Sequence, residues 1–135
     1  QGAVTLSADT TITVNDHAGR VLNTADADGK FTLPTITSDN IGSTFTFMVS
    51  TAATDMDILT DGTDKFVGGL YIGVTNATGK TFISGASNDV ITMNGSTKGG
   101  LAGSVVTATA AATAKYVVSG IILGSGTLVT PFADA

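Results

Sequence analysis

Residues 43–51 read STFTFMVST, and this stretch decides the fold class. Its apolar side chains Phe45, Phe47 and Val49 recur at every second position, so a β-strand would present them on one face. The opposite face would carry two threonines and a methionine. Because β-branched and aromatic residues favour strands, the stretch predicts a strand that contributes to the hydrophobic core.

The rest of the chain has the same strand-forming character in shorter segments. The 135 residues include eleven acidic residues, all of them Asp, and the sequence is rich in Thr, Ala, Gly, Val and Ile. Such a composition is poor in the residues that favour long helices. Turn residues recur at intervals of roughly 8–12 positions, which is typical of a β-sandwich or barrel.

We therefore predict a single all-β domain over residues 1–135, with an extended N-terminal arm at 1–8 and a C-terminal tail at 131–135. The expected architecture is a jelly-roll-like sandwich or barrel of about ten short antiparallel strands with little or no helix. Residues 104–109 and 115–123 should form a hairpin, and 127–130 a last strand. Glycines at 68, 69 and 73 inside a predicted strand indicate a bulge, a sharp bend or the close approach of another backbone.

The charge of the chain restricts its partners. A net charge of −5 repels phosphate backbones, so we expect no nucleic-acid partner. No stretch reads as a transmembrane helix, and no membrane partner is predicted. Only 13% of the residues are charged, and this sparse charge favours burial of the surface against other chains. The alternative is that the abundant Thr and Ser residues solvate the surface instead.

The residues that could support catalysis or metal binding form no recognisable motif. Cysteine is absent, and the single His17 lies in a predicted turn, where we interpret it as a solvated loop residue. Asp residues gather at 26–28 and at 55–64, and calcium binding is the alternative to a simple turn-capping role there. A glycoside hydrolase built on the 55–64 carboxylates would lack Trp subsites. We predict no catalytic residue, no metal and no cofactor.

Several short motifs follow one another along the chain: GKFTLP at 29–34, IG at 41–42, FTFMV at 45–49, FVGG at 66–69, KYVVSG at 115–120, GSGT at 124–127 and TPF at 130–132. In this order they resemble small virion proteins of tailed bacteriophages. In those proteins a G-x-x-x-x-L-P step precedes an a-G-x-x-(F/Y)-x-F-x-V strand. Tyr116 stands where Trp is more frequent in them, and the resemblance covers residues 19–132.

The resemblance implies a non-enzymatic capsid decoration, or cement, protein on the outer surface of the virion. Its partners would be the major capsid protein and itself, as a homotrimer. The terminal segments would act as clamps, with Val4, Leu6, Pro131 and Phe132 as the candidate capsid and subunit interface, unless the ends simply fray. The alternative function is a head-fibre, tail-fibre or receptor-binding β module, in which the loop at 96–103 engages the host surface.

Overall fold

Two β-sheets make up the protein. The computed structural model describes residues 2–135, so Gln1, the first residue of the predicted arm, lies outside the described residues. Strands account for 49% of the residues and helix for 3%, which confirms the all-β class. The elements are β1 (Val4–Leu6), β2 (Thr10–Thr11), α1 (Val14–His17), β3 (Val21–Thr24), β4 (Lys30–Thr32), β5 (Thr44–Val49), β6 (Met56–Leu59), β7 (Lys65–Val74), β8 (Ala77–Ile83), β9 (Val90–Met93), β10 (Val105–Ala112), β11 (Lys115–Gly124) and β12 (Phe132–Ala133).

The pairing of the strands differs from the sequence-based expectation. The larger sheet has seven strands in the order β1-β3-β5-β10-β11-β7-β8, and the smaller has five in the order β12-β9-β6-β4-β2. Five of the ten pairings are parallel: β1 with β3, β3 with β5, β7 with β11, β2 with β4, and β4 with β6. The prediction of antiparallel strands throughout was therefore wrong for half of the pairs. Local turn signals identify hairpins, whereas parallel neighbours are joined by longer connections that leave no local signal.

The hydrophobic core lies between the two sheets. Phe47 of the larger sheet and Phe31 of the smaller one meet with ring centroids 6.5 Å apart. Strand β5 alternates between half-buried and buried residues, with Phe45, Phe47 and Val49 inside, as the sequence predicts. The sandwich is thus held by period-two side chains from both sheets.

Strands β10 and β11 form the predicted antiparallel hairpin. Within it, Gly120 has a φ of +146°, and a Cβ at this position would stand 2.1 Å from the carbonyl oxygen of Val105. Gly68 of β7 likewise leaves room for the carbonyl oxygen of Val118, 2.4 Å from where its Cβ would be. Close approach of a neighbouring backbone is therefore the reason for glycine at 68 and 120, and also at 69, but not at 73, where a Cβ would meet only side chains at ordinary distances.

The two chain ends belong to the sheets. Strand β1 pairs in parallel with β3, and β12 pairs antiparallel with β9. The predicted last strand at 127–130 is not a strand, because the extended segment pairs two residues later, at Phe132–Ala133. No helix within residues 2–135 is long and apolar enough to span a membrane.

Tyr116 joins two of the motifs on which the phage resemblance depends. Its side chain is fully buried, and the hydroxyl donates a hydrogen bond of 2.6 Å to the carbonyl oxygen of Pro34. Burial raises the pKa of this phenol, so the hydroxyl stays protonated and remains a donor. The 29–34 step and the start of β11 are thereby fixed to each other across the sandwich.

Candidate functional site

The broadest surface feature of the molecule is the side of the seven-stranded sheet that faces away from the core. Burial alternates along β5, β7, β10 and β11, so every second side chain of these strands points outward. We call the outward positions in the middle of these strands the outer face: Thr44, Thr46, Met48, Val67, Gly69, Tyr71, Val105, Thr107, Thr109, Val117, Ser119 and Ile121. The smaller sheet covers the inner side only.

The outer face carries large exposed apolar side chains. Ile121 is 56% exposed, Val117 42% and Tyr71 40%. Ile121 stands in register with Tyr71 of β7 on one side and with Val105 of β10 on the other. Val105 in turn faces Met48 of β5, so an apolar row crosses four adjacent strands. Apolar patches of this kind on a protein surface mark sites of interaction.

The outer face also lacks acidic groups, and the charged side chains at outward positions, Lys65 and Lys115, stand at its rim where β7 and β11 begin. None of the eleven Asp residues belongs to it, although the chain carries a net charge of −5. Its polar members are hydroxyl residues, and Thr44 and Thr109 of neighbouring strands share a hydrogen bond of 3.0 Å. Depletion of charge and enrichment of aliphatic and aromatic groups are typical of the centre of a protein interface.

A cleft of about 350 Å³ adjoins the apolar row at one end. Residues 73–75 and 123–124 at the ends of β7 and β11 line it, together with Leu101 and Ala102 of the loop before β10. A Cβ on Gly73 would stand 3.6 Å from the ring of Tyr71 and 3.8 Å from Leu123, which places the glycine between these two side chains. The missing side chain of Gly73 thus leaves the space that forms part of the cleft.

The predicted interface residues at the chain ends lie within the sandwich. Leu6 and Phe132 are 4% and 5% exposed and belong to the core, Pro131 is buried, and Val4 is half-buried against the core. As placed, these side chains contact their own chain. Their contact with a capsid subunit stays a prediction, and it requires the ends to detach or to present their backbone.

A polar cluster fixes the C-terminal tail. The buried Asp89 accepts hydrogen bonds from the Ala135 amide at 2.7 Å and from Lys65 Nζ at 3.0 Å. Burial by itself would raise the pKa of Asp89, but these two donors outweigh it and hold the pKa below its usual value. Ser87 and Asn88 also donate to the carboxylate of Asp134. These hydrogen bonds hold the tail at residues 131–135 against the rest of the chain.

His17 differs from the sequence-based interpretation as a solvated loop residue. It ends α1, is 7% exposed, and its Nδ1 accepts a hydrogen bond of 2.9 Å from the Thr13 amide. The sequence gives no signal for this burial, because the residues around His17 all favour a turn. The imidazole caps the local backbone.

Asp61 has the turn-capping role that the sequence favours, whereas Asp57 pairs with Lys30 and Asp64 accepts a hydrogen bond from the distant Ile36 amide. Asp61 Oδ1 accepts hydrogen bonds from the amides of Asp64 and Thr63, and the bond from Asp64 is the main cause of its lowered pKa. Within residues 2–135 no group of three or more potential ligands could hold a metal ion. Among the other acidic residues, the nearby carboxyl group of Asp28 raises the pKa of Asp26.

Comparison with protein-family models, with curated proteins and with solved structures found no match for this chain. The surface of the molecule is therefore the basis for a functional assignment. Sequence reasoning did not identify the outer face, since it assigned only the period-two pattern of β5 and not the neighbours of that strand. The consecutive apolar residues at 117–118 and 121–123 were the signal that could have revealed it, because they put apolar side chains on both sides of a strand.

Proposed function

We propose that the protein is a non-enzymatic virion protein that decorates and stabilises the outer surface of a bacteriophage capsid. The major capsid protein would be its main partner, and it would assemble with further copies of itself as a homotrimer. The sequence resemblance to small phage virion proteins provides the family context.

The outer face, which is apolar at its centre and carries no acidic side chain, is the observation that carries the proposal. The four strands of the outer face and the adjoining edge strand β8 are about eight residues long and spaced about 4.8 Å apart, so together they span an area of roughly 600 Å². A stable interface buries about 800 Å² on each partner, so the face is of the size that a specific contact needs. The loss of water from Tyr71, Val117 and Ile121 would supply the driving force.

Cementing does not require high affinity at a single site. A decoration protein repeats the same contact over a symmetric shell, and bound oligomers engage several capsid subunits at once. Such multivalency increases avidity without any new contact. Each bound copy therefore adds a modest amount to the resistance of the shell against heat or internal pressure.

The test compares expanded capsid shells, assembled from the major capsid protein of the same phage, with and without the purified protein. We expect the protein to co-sediment with the shells in hundreds of copies per particle and to raise their melting temperature. Binding at only a few copies would indicate the fibre or receptor-binding alternative. Equal melting temperatures with and without bound protein would refute the cementing function.

Variants with one added charge locate the contact. Ile121→Asp places a carboxylate on the outer face at a position that is 56% exposed, so the fold tolerates it. Since an unpaired carboxylate is costly to bury, we expect shell affinity to fall at least about tenfold. Val129→Asp adds the same charge at a 43% exposed residue outside the outer face and should bind normally. Equal loss in both variants, or in neither, would contradict the assignment of the face.

A further inference from the structure

We propose that Ile83 of one copy inserts into the cleft at residues 73–75, 101–102 and 123–124 of a second copy. This inference rests on the proposed function only in taking the outer face as an assembly surface. It names the contact through which the copies recognise each other. Three features support this contact: the exposure of Ile83, the size and chemistry of the cleft, and the distance between Ile83 and the cleft of the same chain.

Ile83 protrudes farther into solvent than the other large apolar side chains among the described residues. It is 77% exposed, whereas the next, Ile121, is 56% exposed. It ends β8, which forms an edge of the seven-stranded sheet, and it stands opposite Gly69 of β7. Because Gly69 has no side chain, it does not cover Ile83. Exposed apolar side chains on an edge strand promote association between chains.

The cleft has the chemistry and size to hold such a side chain. Glycine, alanine, valine and leucine make up most of its lining, with Thr75 as the polar member. Its volume of about 350 Å³ is at the lower end of the range of roughly 300–1,000 Å³ in which proteins bind small ligands. One aliphatic side chain with part of its strand would therefore fill it.

The same chain cannot fill its own cleft. Ile83 pairs with Gly69, and Gly73 lies four residues farther along β7. At about 3.3 Å per residue the two sites are roughly 13 Å apart, which is beyond the reach of an isoleucine side chain. Both sites lie at the same face of the sheet, so a second molecule that packs on this face can bring its Ile83 to the cleft.

Charge favours a second copy as the occupant. Each chain carries a net charge of −5, so two copies repel each other wherever Asp residues meet. The outer face and the cleft lining contain no Asp, and they form the surface on which identical chains can pack without facing carboxylates. A flat area of roughly 600 Å² is also close to what a stable pair of subunits buries on each side.

Two variants separate the protruding side chain from the cleft. Ile83→Asp removes the inserted side chain at a solvent-exposed position. Gly73→Val fills the cleft, and since Gly73 has no positive φ and its Cβ would make ordinary contacts, the fold should tolerate the change. We expect the wild-type protein to form oligomers in sedimentation velocity experiments, and each variant to associate at least about tenfold more weakly. Val129→Asp, with the charge of Ile83→Asp, should behave as wild type.

A mixture of the two variants provides the decisive measurement. The Gly73→Val chain keeps Ile83 and the Ile83→Asp chain keeps an open cleft, so one complete contact can form between them. We expect a complex of the two variants to appear on mixing, at a concentration where each alone is monomeric. A monomeric wild-type protein, undiminished association in either variant, or a mixture without a complex would overturn the inference. A monomer that still decorates shells would overturn it, together with the proposed homotrimer, and would leave the capsid-decorating role intact.

Discussion

Replacing Phe132 by alanine separates two roles that this residue could have. The side chain is 5% exposed and belongs to the core, while the sequence alone suggests it as a capsid contact. Phe→Ala in a core costs about 3–5 kcal/mol. Because β12 has two residues and ends the smaller sheet, the tail can relax around the gap, and we expect a loss of about 3 kcal/mol.

Calorimetry and urea denaturation measure this loss directly. For a chain of this size, about 3 kcal/mol corresponds to a decrease in melting temperature of roughly 10–15 °C. The control is Val129→Ala, which changes an exposed side chain in the same C-terminal segment and should stay within about 0.5 kcal/mol of wild type. If Phe132→Ala melts like wild type but no longer binds shells, the core assignment is refuted and Phe132 is an interface residue.

Two further predictions concern stability. Gly120→Ala should lower the free energy of unfolding by several kcal/mol or prevent folding, because the new Cβ would collide with the Val105 carbonyl oxygen. Gly73→Ala should be nearly neutral, since its Cβ would make ordinary contacts. The urea midpoints of the two variants test this, and equal midpoints would contradict it. Asp61 and Asp89 have lowered pKa values in the folded protein, so the unfolded chain takes up protons first and the free energy of unfolding should fall as the pH drops below about 4. Urea midpoints measured from pH 6 to pH 3 test the second prediction, and a midpoint that stays constant or rises on acidification would show that these carboxylates do not stabilise the fold.

Local patterns predicted the local part of the fold. The alternation at 43–51 gave a core strand, and the sequence at 104–123 gave a hairpin, because both depend on residues that are near one another in the chain. The parallel neighbours of β3, β4 and β7 have no such signal, since the pairing residues are far apart in sequence.

The candidate site was harder to predict for the same reason. The outer face exists only once β5, β10, β11 and β7 lie side by side, so no single segment contains it. The low charge of the chain predicts contact with other chains, but it does not locate a surface for that contact. The terminal residues were predicted as an interface because chain ends are often free. Tertiary contacts, such as the hydrogen bond from the Ala135 amide to Asp89, hold the C-terminal end against the sandwich.

The position of the protein on intact particles tests the central claim most directly. A density map of the decorated shell, at a resolution that distinguishes the two sheets, would show which side of the sandwich is covered. We predict that the outer face, with Val117 and Ile121 at its centre, is buried against a capsid subunit or a second copy. A particle on which this face points into solvent, or one that carries no such protein, would contradict the account.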